Sequence, residues 1–282
     1  MSSVLLVAAL LPAVVLLAFI YNKDKAEKEP IGLVLRVFIF GAIAGPIAAI
    51  LENLAFGVFE LVIPEGMLLF ILEYFIGVAA VEEAVKYAAL NTVRKHPEFN
   101  YVFDAVVYAV AAALGFAALE NVLYVFDGGL EVAVMRAMFS VPGHCADGAV
   151  MGCFFGMARH YEVLGDKARS RRNYWLAFLL PTIEHGFYDA ALSSESDLFA
   201  LLAMAVEVAF MIWALALVNR MAKNDKPLGG ASFRQLQQNG QPPYMSSTPI
   251  PPAPSQPGYP SNPYQQGQPY GPDGRPPNSP LR

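Results

Sequence analysis

Four stretches of ionisable residues stand inside long apolar runs of this sequence. They read Val81-Glu82-Glu83-Ala84-Val85-Lys86, Leu119-Glu120-Asn121, Gly143-His144-Cys145-Ala146-Asp147 and Glu184-His185-Gly186-Phe187-Tyr188-Asp189. Carboxylates and imidazoles are the side chains that most often transfer protons or hold catalytic metal ions. A charged side chain within a lipid bilayer costs at least ~2.5–3.5 kcal/mol, so each of these residues needs a partner or a chemical task.

The first stretch places two carboxylates and a lysine on one helical surface. Glu82 and Glu83 precede Lys86 by four and three residues, so on a helix the ammonium group can reach either carboxylate. Neighbouring residues on a helix point about 100° apart, so one carboxylate can face a reaction centre while the other is held. A carboxyl group in such surroundings is suited to general acid–base catalysis. A neutralised packing pair is the alternative interpretation.

The two histidines extend this chemistry in one of two ways. His144 follows Pro142-Gly143, where a broken helix would line a cavity, and His185 has Asp189 four residues later to orient its ring. His144 and His185 with Glu120 would form a zinc site that leaves one position open for water. A glutamate could also activate the water without metal. The residues leave this choice open, and both routes lead to attack of water on an amide.

Structural roles compete with catalytic ones at several of these positions. Glu120 and Asn121 could join helices by hydrogen bonds, and Asp147 could support the fold as readily as a site. The predicted catalytic residues are Glu82, Glu83, Glu120, His144 and His185, with Lys86, Asn121, Asp147 and Asp189 as supporting residues. Glu207 has no evident partner, while Glu52, Glu73 and Asp104 lie near predicted segment ends and need none.

The elements that must position these residues are transmembrane helices. The sequence is 55% hydrophobic and 15% charged, against about 25% charged residues in a soluble domain. Seven apolar segments are predicted, at residues 3–21, 31–62, 66–93, 101–126, 131–158, 174–192 and 198–219. The first is interpreted as a retained anchor because no Lys or Arg precedes Lys23, whereas a signal peptide begins with basic residues. Pro46 and Pro142 are predicted to kink their helices. The fold class is thus an all-α polytopic bundle of about seven helices.

The basic residues predict how the bundle crosses the membrane. Sixteen of the 19 Lys and Arg residues lie in the connections 22–30, 94–100 and 159–173 and in the C-terminal region. The alternate connections carry none, which places the N-terminus outside and the C-terminus in the cytoplasm. A net charge of −5 without a basic cluster gives no support for nucleic-acid binding.

The C-terminal region differs in composition from the rest of the chain. Residues 227–282 hold 15 of the 22 prolines together with Gly, Gln, Ser and Tyr. Such a segment cannot bury enough apolar surface to fold, so it is predicted to be a disordered cytoplasmic tail. The predicted domains are therefore 1–226, the membrane domain, and 227–282, the tail.

Depth along the helices decides which polar groups can meet. At 1.5 Å per residue, Glu82 and His185 lie about 18 Å from the cytoplasmic ends of their segments, and His144 about 20 Å from the outer end. These three can meet near the middle of a ~30 Å hydrocarbon layer. Glu120 lies about 30 Å from the cytoplasmic end, so it joins them only if its helix tilts or sits lower.

The ordered series of E-E-x-x-K, F-x-x-x-E-N, a mid-segment histidine and H-x-x-x-D resembles the PrsW family of membrane proteases. The segment Tyr21-Asn22-Lys23-Asp24-Lys25 followed by Glu29-Pro30 is similar to that family's first loop. The resemblance covers about residues 10–220 and implies a multi-pass enzyme of the bacterial cell membrane that cleaves membrane-anchored proteins, including anti-sigma-factor-like regulators. It places catalytic glutamates at Glu82 and Glu83 and further polar centres at Glu120, His144 and His185. Both zinc-dependent and metal-free mechanisms fit it, and no H-E-x-x-H motif occurs.

Two other classes of membrane protein fit parts of the sequence. A proton-coupled transporter or channel could use the same residues as a proton relay, although such proteins often contain internal repeats and none is evident here. A scaffold acting through the proline-rich tail would not need a polar cluster within the membrane. The sequence therefore favours an intramembrane endopeptidase.

Overall fold

The computed structural model of the chain describes residues 2–230, and the described part is almost entirely helical. The elements are α1 (Ser2–Lys23), α2 (Ile31–Val62), α3 (Met67–Leu72), a π-helical segment (Glu73–Ala80), α4 (Val81–Asn91), α5 (Asp104–Met138), α6 (Ser140–Val163), α7 (Lys167–Ser193), α8 (Asp197–Lys223) and a 3-10 turn (Leu228–Gly230). Because α3, the π-helical segment and α4 are continuous, they form one rod. The prediction of an all-α bundle of about seven helices is confirmed.

Four helical stretches are long and apolar enough to cross a membrane. They are Ser3–Lys23, Ile31–Val62, Asp104–Val163 and Asp197–Lys223, of which the third includes both α5 and α6. The rod 67–91 is divided by the π-helical segment, and α7 begins with a basic stretch and carries Glu184 and His185. The chain is a multi-pass membrane protein, as predicted.

Helix α5 lies at the centre of the bundle, and its residues 105–118 are buried. Three glycines of α6, spaced four residues apart, allow that helix to approach α5 closely: Gly148, Gly152 and Gly156. A Cβ atom at Gly152 would lie 2.5 Å from Val106 Cα, and one at Gly156 would lie 2.2 Å from the Val102 carbonyl oxygen. Close contacts between backbones are how helices associate in lipid, where hydrophobic burial gives little drive. This crossing fixes the position of the α6 site residues relative to α5.

The connection between the predicted fourth and fifth segments differs from the prediction. Helix α5 continues to Met138 through a bend at Gly129, whose φ of +75° suits glycine, and the break before α6 falls at Phe139. Residues 131–138 therefore extend α5 and do not begin the next helix. Pro142 was predicted to kink a helix, but it lies in the first turn of α6, where a missing N–H leaves no intrahelical bond unmade.

One end of the bundle is built from the connections 24–30, 92–103, 164–166 and 224–230, and we refer to it as the basic end. Here the chain after α8 pairs with the segment before α5: Val102 N donates to Lys226 O at 3.0 Å, and Leu228 N donates to Asn100 O at 2.8 Å. Leu228 is buried in the main core. Packed structure thus continues past residue 226. The division at 226/227 stays a prediction, and the predicted disorder concerns mainly residues 231–282, which lie outside the described part.

Candidate active site

Glu82 and Glu83 occupy the first turn of α4, directly after the π-helical segment. π-Helical turns are rare and frequently occur at functional sites, because the wider turn changes the direction in which the following side chains point. Helix α7 passes close to this segment at Gly186, where a Cβ atom would lie 2.7 Å from Phe75 Cδ1. This approach brings His185, the preceding residue, next to the two glutamates.

The Lys86 ammonium group is the centre of the polar cluster. Its Nζ atom lies 2.8 Å from Glu83 Oε1, 3.1 Å from Glu82 Oε2 and 3.0 Å from His144 Nδ1. Lys86 and Glu83 are fully buried, and the ring of Phe116 lies 4.4 Å from Nζ. The lysine therefore serves both glutamates, as their spacing predicted, and also reaches α6.

His144 joins Lys86 to Glu120 of α5. Its Nε2 atom lies 3.0 Å from Glu120 Oε2, which Arg136 approaches at 2.9 Å from Nη2. Arg136 Nε also donates to Asn121 Oδ1, at 2.8 Å. Asn121 Nδ2 in turn donates to the backbone carbonyl of Ala9 in α1 at 2.6 Å. Glu120 thus meets the cluster, as the tilt or shift of α5 considered above would require.

His185 contacts carboxylates on both sides of its ring. Nδ1 lies 3.0 Å from Glu83 Oε1, and Nε2 lies 3.2 Å from Asp189 Oδ2 and 3.7 Å from Glu82 Oε2. A neutral ring donates from only one nitrogen, so satisfying both contacts requires a second proton, on the ring or on a facing carboxyl group, or a bound cation. The His144 and His185 ring centroids are 5.5 Å apart, which places both imidazoles at one location.

A cavity of about 500 Å³ opens onto this cluster. Predicted site residues that line it are Glu82, Glu120, His144, Asp147, His185 and Asp189. Glu83 and Lys86 do not line it, because they are fully buried behind Glu82. The two adjacent glutamates therefore differ in access: Glu82 can touch a substrate or water, whereas Glu83 does not face the cavity.

Four further charged residues line the cavity without having been assigned to the site from sequence: Glu52, Arg136, Glu184 and Glu207. Glu52 was expected to need no partner near a segment end, but it lies within α2 and lines the cavity. Glu207 is buried against the α6 backbone, since a Cβ atom at Gly143 would lie 2.5 Å from its Oε1. The feature of the sequence that could have identified Arg136, Glu184 and Glu207 as cavity residues was their charge inside an apolar segment.

A metal ion would find suitable donors beside the cavity. One ligand atom from each of Glu83, His144, Asp147 and His185 lies within 4.8 Å of the others, and all four side chains are buried. Glu83 Oε2 and Asp147 Oδ1 have no hydrogen-bond partner among the described residues. Two imidazoles and carboxylates form a donor set that fits zinc. Glu120, predicted as a ligand, lies outside this group, and that role stays a prediction.

Comparison with known proteins supports the resemblance noted in the sequence. Residues 29–218 match the profile of a family described as PrsW family intramembrane metalloproteases. A Protease PrsW of Geobacillus kaustophilus (strain HTA426) is 38% identical over 66% of this chain and 78% of its own length. One of Oceanobacillus iheyensis is 33% identical over 79% of this chain and 98% of its own length. One of Bacillus subtilis (strain 168) is 34% identical over 67% of this chain and 83% of its own length. No solved structure matches the chain. The chain belongs to the PrsW family of intramembrane proteases.

Proposed function

We propose that this protease hydrolyses peptide bonds of membrane-anchored proteins with water activated in the cavity between α4, α5, α6 and α7. The observation that carries the proposal is the meeting of Glu82, His144 and His185 at one polar cavity within a membrane-spanning bundle. Water is scarce in the hydrocarbon layer, so a polar cavity is required to hold the second reactant. The residues around it supply the base and the fixed charges that hydrolysis needs.

Glu82 is the proposed general base. It lines the cavity, so its carboxylate can take a proton from water as the water oxygen bonds to the scissile carbonyl carbon. When the C–N bond then breaks, Glu82 gives that proton to the departing amine nitrogen. The products are a carboxylic acid and an amine, which become carboxylate and ammonium as the second proton of the water passes to the amine, and Glu82 returns to its starting state.

Glu83 and Lys86 are proposed to position the reacting groups without touching the substrate. Glu83 accepts from Lys86 and contacts His185 Nδ1, which fixes the lysine and the imidazole together. Lys86 also holds His144 by Nδ1. Fixed charges in a site shielded from water stabilise charge that develops in a transition state more strongly than they would in water.

Glu83, His144, Asp147 and His185 are the residues that would hold a zinc ion. When bound, zinc would polarise the scissile carbonyl group and favour ionisation of water. Lys86 contacts Glu83 through Oε1 and leaves Oε2 without a partner among the described residues, so Glu83 could bind a metal ion beside the lysine. His144 could do so through Nδ1 only if the ammonium group left that atom. The metal-free arrangement keeps Lys86 in place. The zinc content of the purified protein therefore distinguishes the zinc-bound arrangement from the metal-free one.

The proposed substrates are proteins with a transmembrane anchor, since only such chains reach a cavity inside the bundle. The resemblance to PrsW proteases extends this to anti-sigma-factor-like regulators.

The proposed orientation has the basic end in the cytoplasm, because Lys and Arg are retained on that side. A reporter fused at Gly165 should then report cytoplasm and one at Gly128 the outside. Cytoplasmic reports from both positions would contradict the proposed topology.

The substrate can be found by comparing membranes from cells that carry the wild-type chain or Glu82→Gln. We expect at least one membrane-anchored protein to accumulate uncleaved in the variant, with a new terminus seen only in the wild type. Asp127→Asn, an exposed change beside the bend at Gly129 in α5, is the matched control. A proton relay is the competing function, and the protease family does not favour it. Proton flux across the membrane of vesicles that contain the wild-type chain, without cleavage of any protein, would support the proton relay.

A further inference from the structure

A second group of buried carboxylates lies at the basic end of the bundle, away from the cavity. Asp24 follows α1, Glu29 precedes α2 and Asp104 begins α5. One oxygen of each lies within 4.8 Å of the others. Asp104 and Glu120 are 16 residues apart on α5, which is about 24 Å along the helix, so this group is separate from the candidate active site.

All three side chains are buried, with Asp24 1%, Glu29 2% and Asp104 0% exposed. Within residues 2–230, no Lys or Arg side chain forms an ion pair with any of them. Of the lysines next to these residues in sequence, Lys23 donates to Asn219 Oδ1 at 2.8 Å and Lys28 to the Tyr21 carbonyl oxygen at 2.6 Å, so Lys28 acts on Asp24 only through its charge. Buried charges are normally paired or bound to a metal, because an isolated buried charge is costly.

The oxygens of this group are also short of hydrogen bonds. Neither oxygen of Asp24 makes one within the described residues, although the backbone N–H groups of Ala26 and Glu27 lie nearby. Asp104 Oδ1 likewise has no partner. Asp104 Oδ2 is held by the N–H groups of Asn100 and Tyr101, at 2.8 and 2.7 Å. The backbone thus fixes the Asp104 carboxylate while leaving one oxygen free.

We propose that Asp24, Glu29 and Asp104 bind a hard divalent cation, such as Ca²⁺, Mg²⁺ or Mn²⁺, that joins the ends of α1, α2 and α5. Carboxylate oxygens are the ligands that these ions prefer, and the group contains neither the imidazoles nor the thiolates that favour zinc. Three carboxylates give more negative charge than a divalent ion carries, so the ion can replace the missing cationic partner. Two of the three residues belong to the first-loop motif, which the candidate active site does not use.

The competing explanation is that protons neutralise the group. The Glu29 and Asp104 carboxyl groups lie side by side, and Tyr108 donates to Glu29 from its hydroxyl group. A shared proton would satisfy this contact without a metal. The two explanations differ in one measurable respect. In the first, the wild-type chain binds a divalent cation and loses it when a carboxylate is removed, whereas in the second the wild-type group binds no cation.

The test uses the purified full-length chain in detergent after treatment with a chelator, with Mn²⁺ as the probe. We expect wild type to bind Mn²⁺ by electron paramagnetic resonance and its Tm to rise by about 5 °C with the ion. Asp24→Asn and Asp104→Asn should weaken Mn²⁺ binding about tenfold or more and lose the rise in Tm. His185→Asn and the exposed control Asp127→Asn should retain both.

The order of stabilities gives a second readout that does not depend on a single variant. In buffer with a chelator, Asp104→Asn should be at least as stable as wild type, because it removes one of three repelling charges. In buffer with Mn²⁺, wild type should be more stable than Asp104→Asn. The proposal is overturned if Mn²⁺, Ca²⁺ and Mg²⁺ all leave the wild-type Tm unchanged. It is also overturned if Asp24→Asn and Asp104→Asn both bind Mn²⁺ as wild type does.

Discussion

The Nζ atom of Lys86 lies 3.0 Å from Nδ1 of His144, inside the membrane-spanning bundle. An ammonium group only donates hydrogen bonds, so Nδ1 accepts and Nε2 carries the ring proton that faces Glu120. Lys86 therefore sets the tautomer of a residue on another helix. The E-E-x-x-K motif and the mid-segment histidine act as one unit, and this relationship leads to the first prediction.

Lys86→Met should lower both activity and stability. The change leaves the Glu83 carboxylate buried without its ammonium partner, and breaking a buried pair from one side costs about 3–5 kcal/mol in the free energy of unfolding. The double variant Glu83→Gln/Lys86→Met should recover part of that stability but no activity. Unfolding measured in mixed detergent micelles, with exposed Lys95→Met as the control, checks this. Equal stability of Lys86→Met and wild type would show that the pair contributes little.

Metal content should depend on the donors grouped beside the cavity. If zinc is bound there, Glu83→Gln, Asp147→Asn and His185→Ala should each lower bound zinc by about tenfold or more at a fixed free concentration. Glu120→Gln should retain zinc, because Glu120 contacts His144 and Arg136 and lies outside the donor group. Elemental analysis of the purified variants measures this directly. Full activity of metal-stripped wild type would instead support the metal-free arrangement.

Truncation should separate the packed residues from the proline-rich region that follows. Ending the chain after Gly230 should leave activity and Tm unchanged, because every polar residue of the candidate active site is retained. Ending it after Asn224 removes Leu228, whose burial is worth about 1.5–3 kcal/mol, and the two backbone bonds around it. Tm of the two truncated chains gives the comparison. A loss of activity in the longer chain, at normal membrane levels, would show that the tail takes part in catalysis.

Much of the fold followed from the sequence because a bilayer permits few structures. Apolar runs of bilayer length gave the number of helices, and charge inside those runs identified the helices that carry the candidate active site. The contacts of Lys86 with Glu82 and Glu83 followed from helical spacing alone. These features depend on local sequence, which explains why they could be predicted.

Features that depend on packing could not be predicted in the same way. The depth of Glu120 was counted along a straight helix, whereas its contact with His144 depends on how α5 packs against α6. Gly143, which lies against Glu207, and the carboxylates that lie beside Asp104 come from other parts of the chain. Asp104 stands at a helix end and gave no sign that the first loop would bury it. The π-helical segment before Glu82 likewise has no sequence signal that we could identify.

The most direct test of the account is cleavage by the purified chain in vesicles of bacterial lipid, with a single-pass substrate from the membrane comparison. Wild type should release two fragments whose masses add to that of the substrate plus one water. Glu82→Ala and His185→Ala should lower the rate by about 10²–10⁴-fold while inserting normally, and Asp127→Asn should cleave as wild type does. Near-normal cleavage by Glu82→Ala would contradict the assignment of the base, and with it the central claim that this cavity hydrolyses the peptide bond.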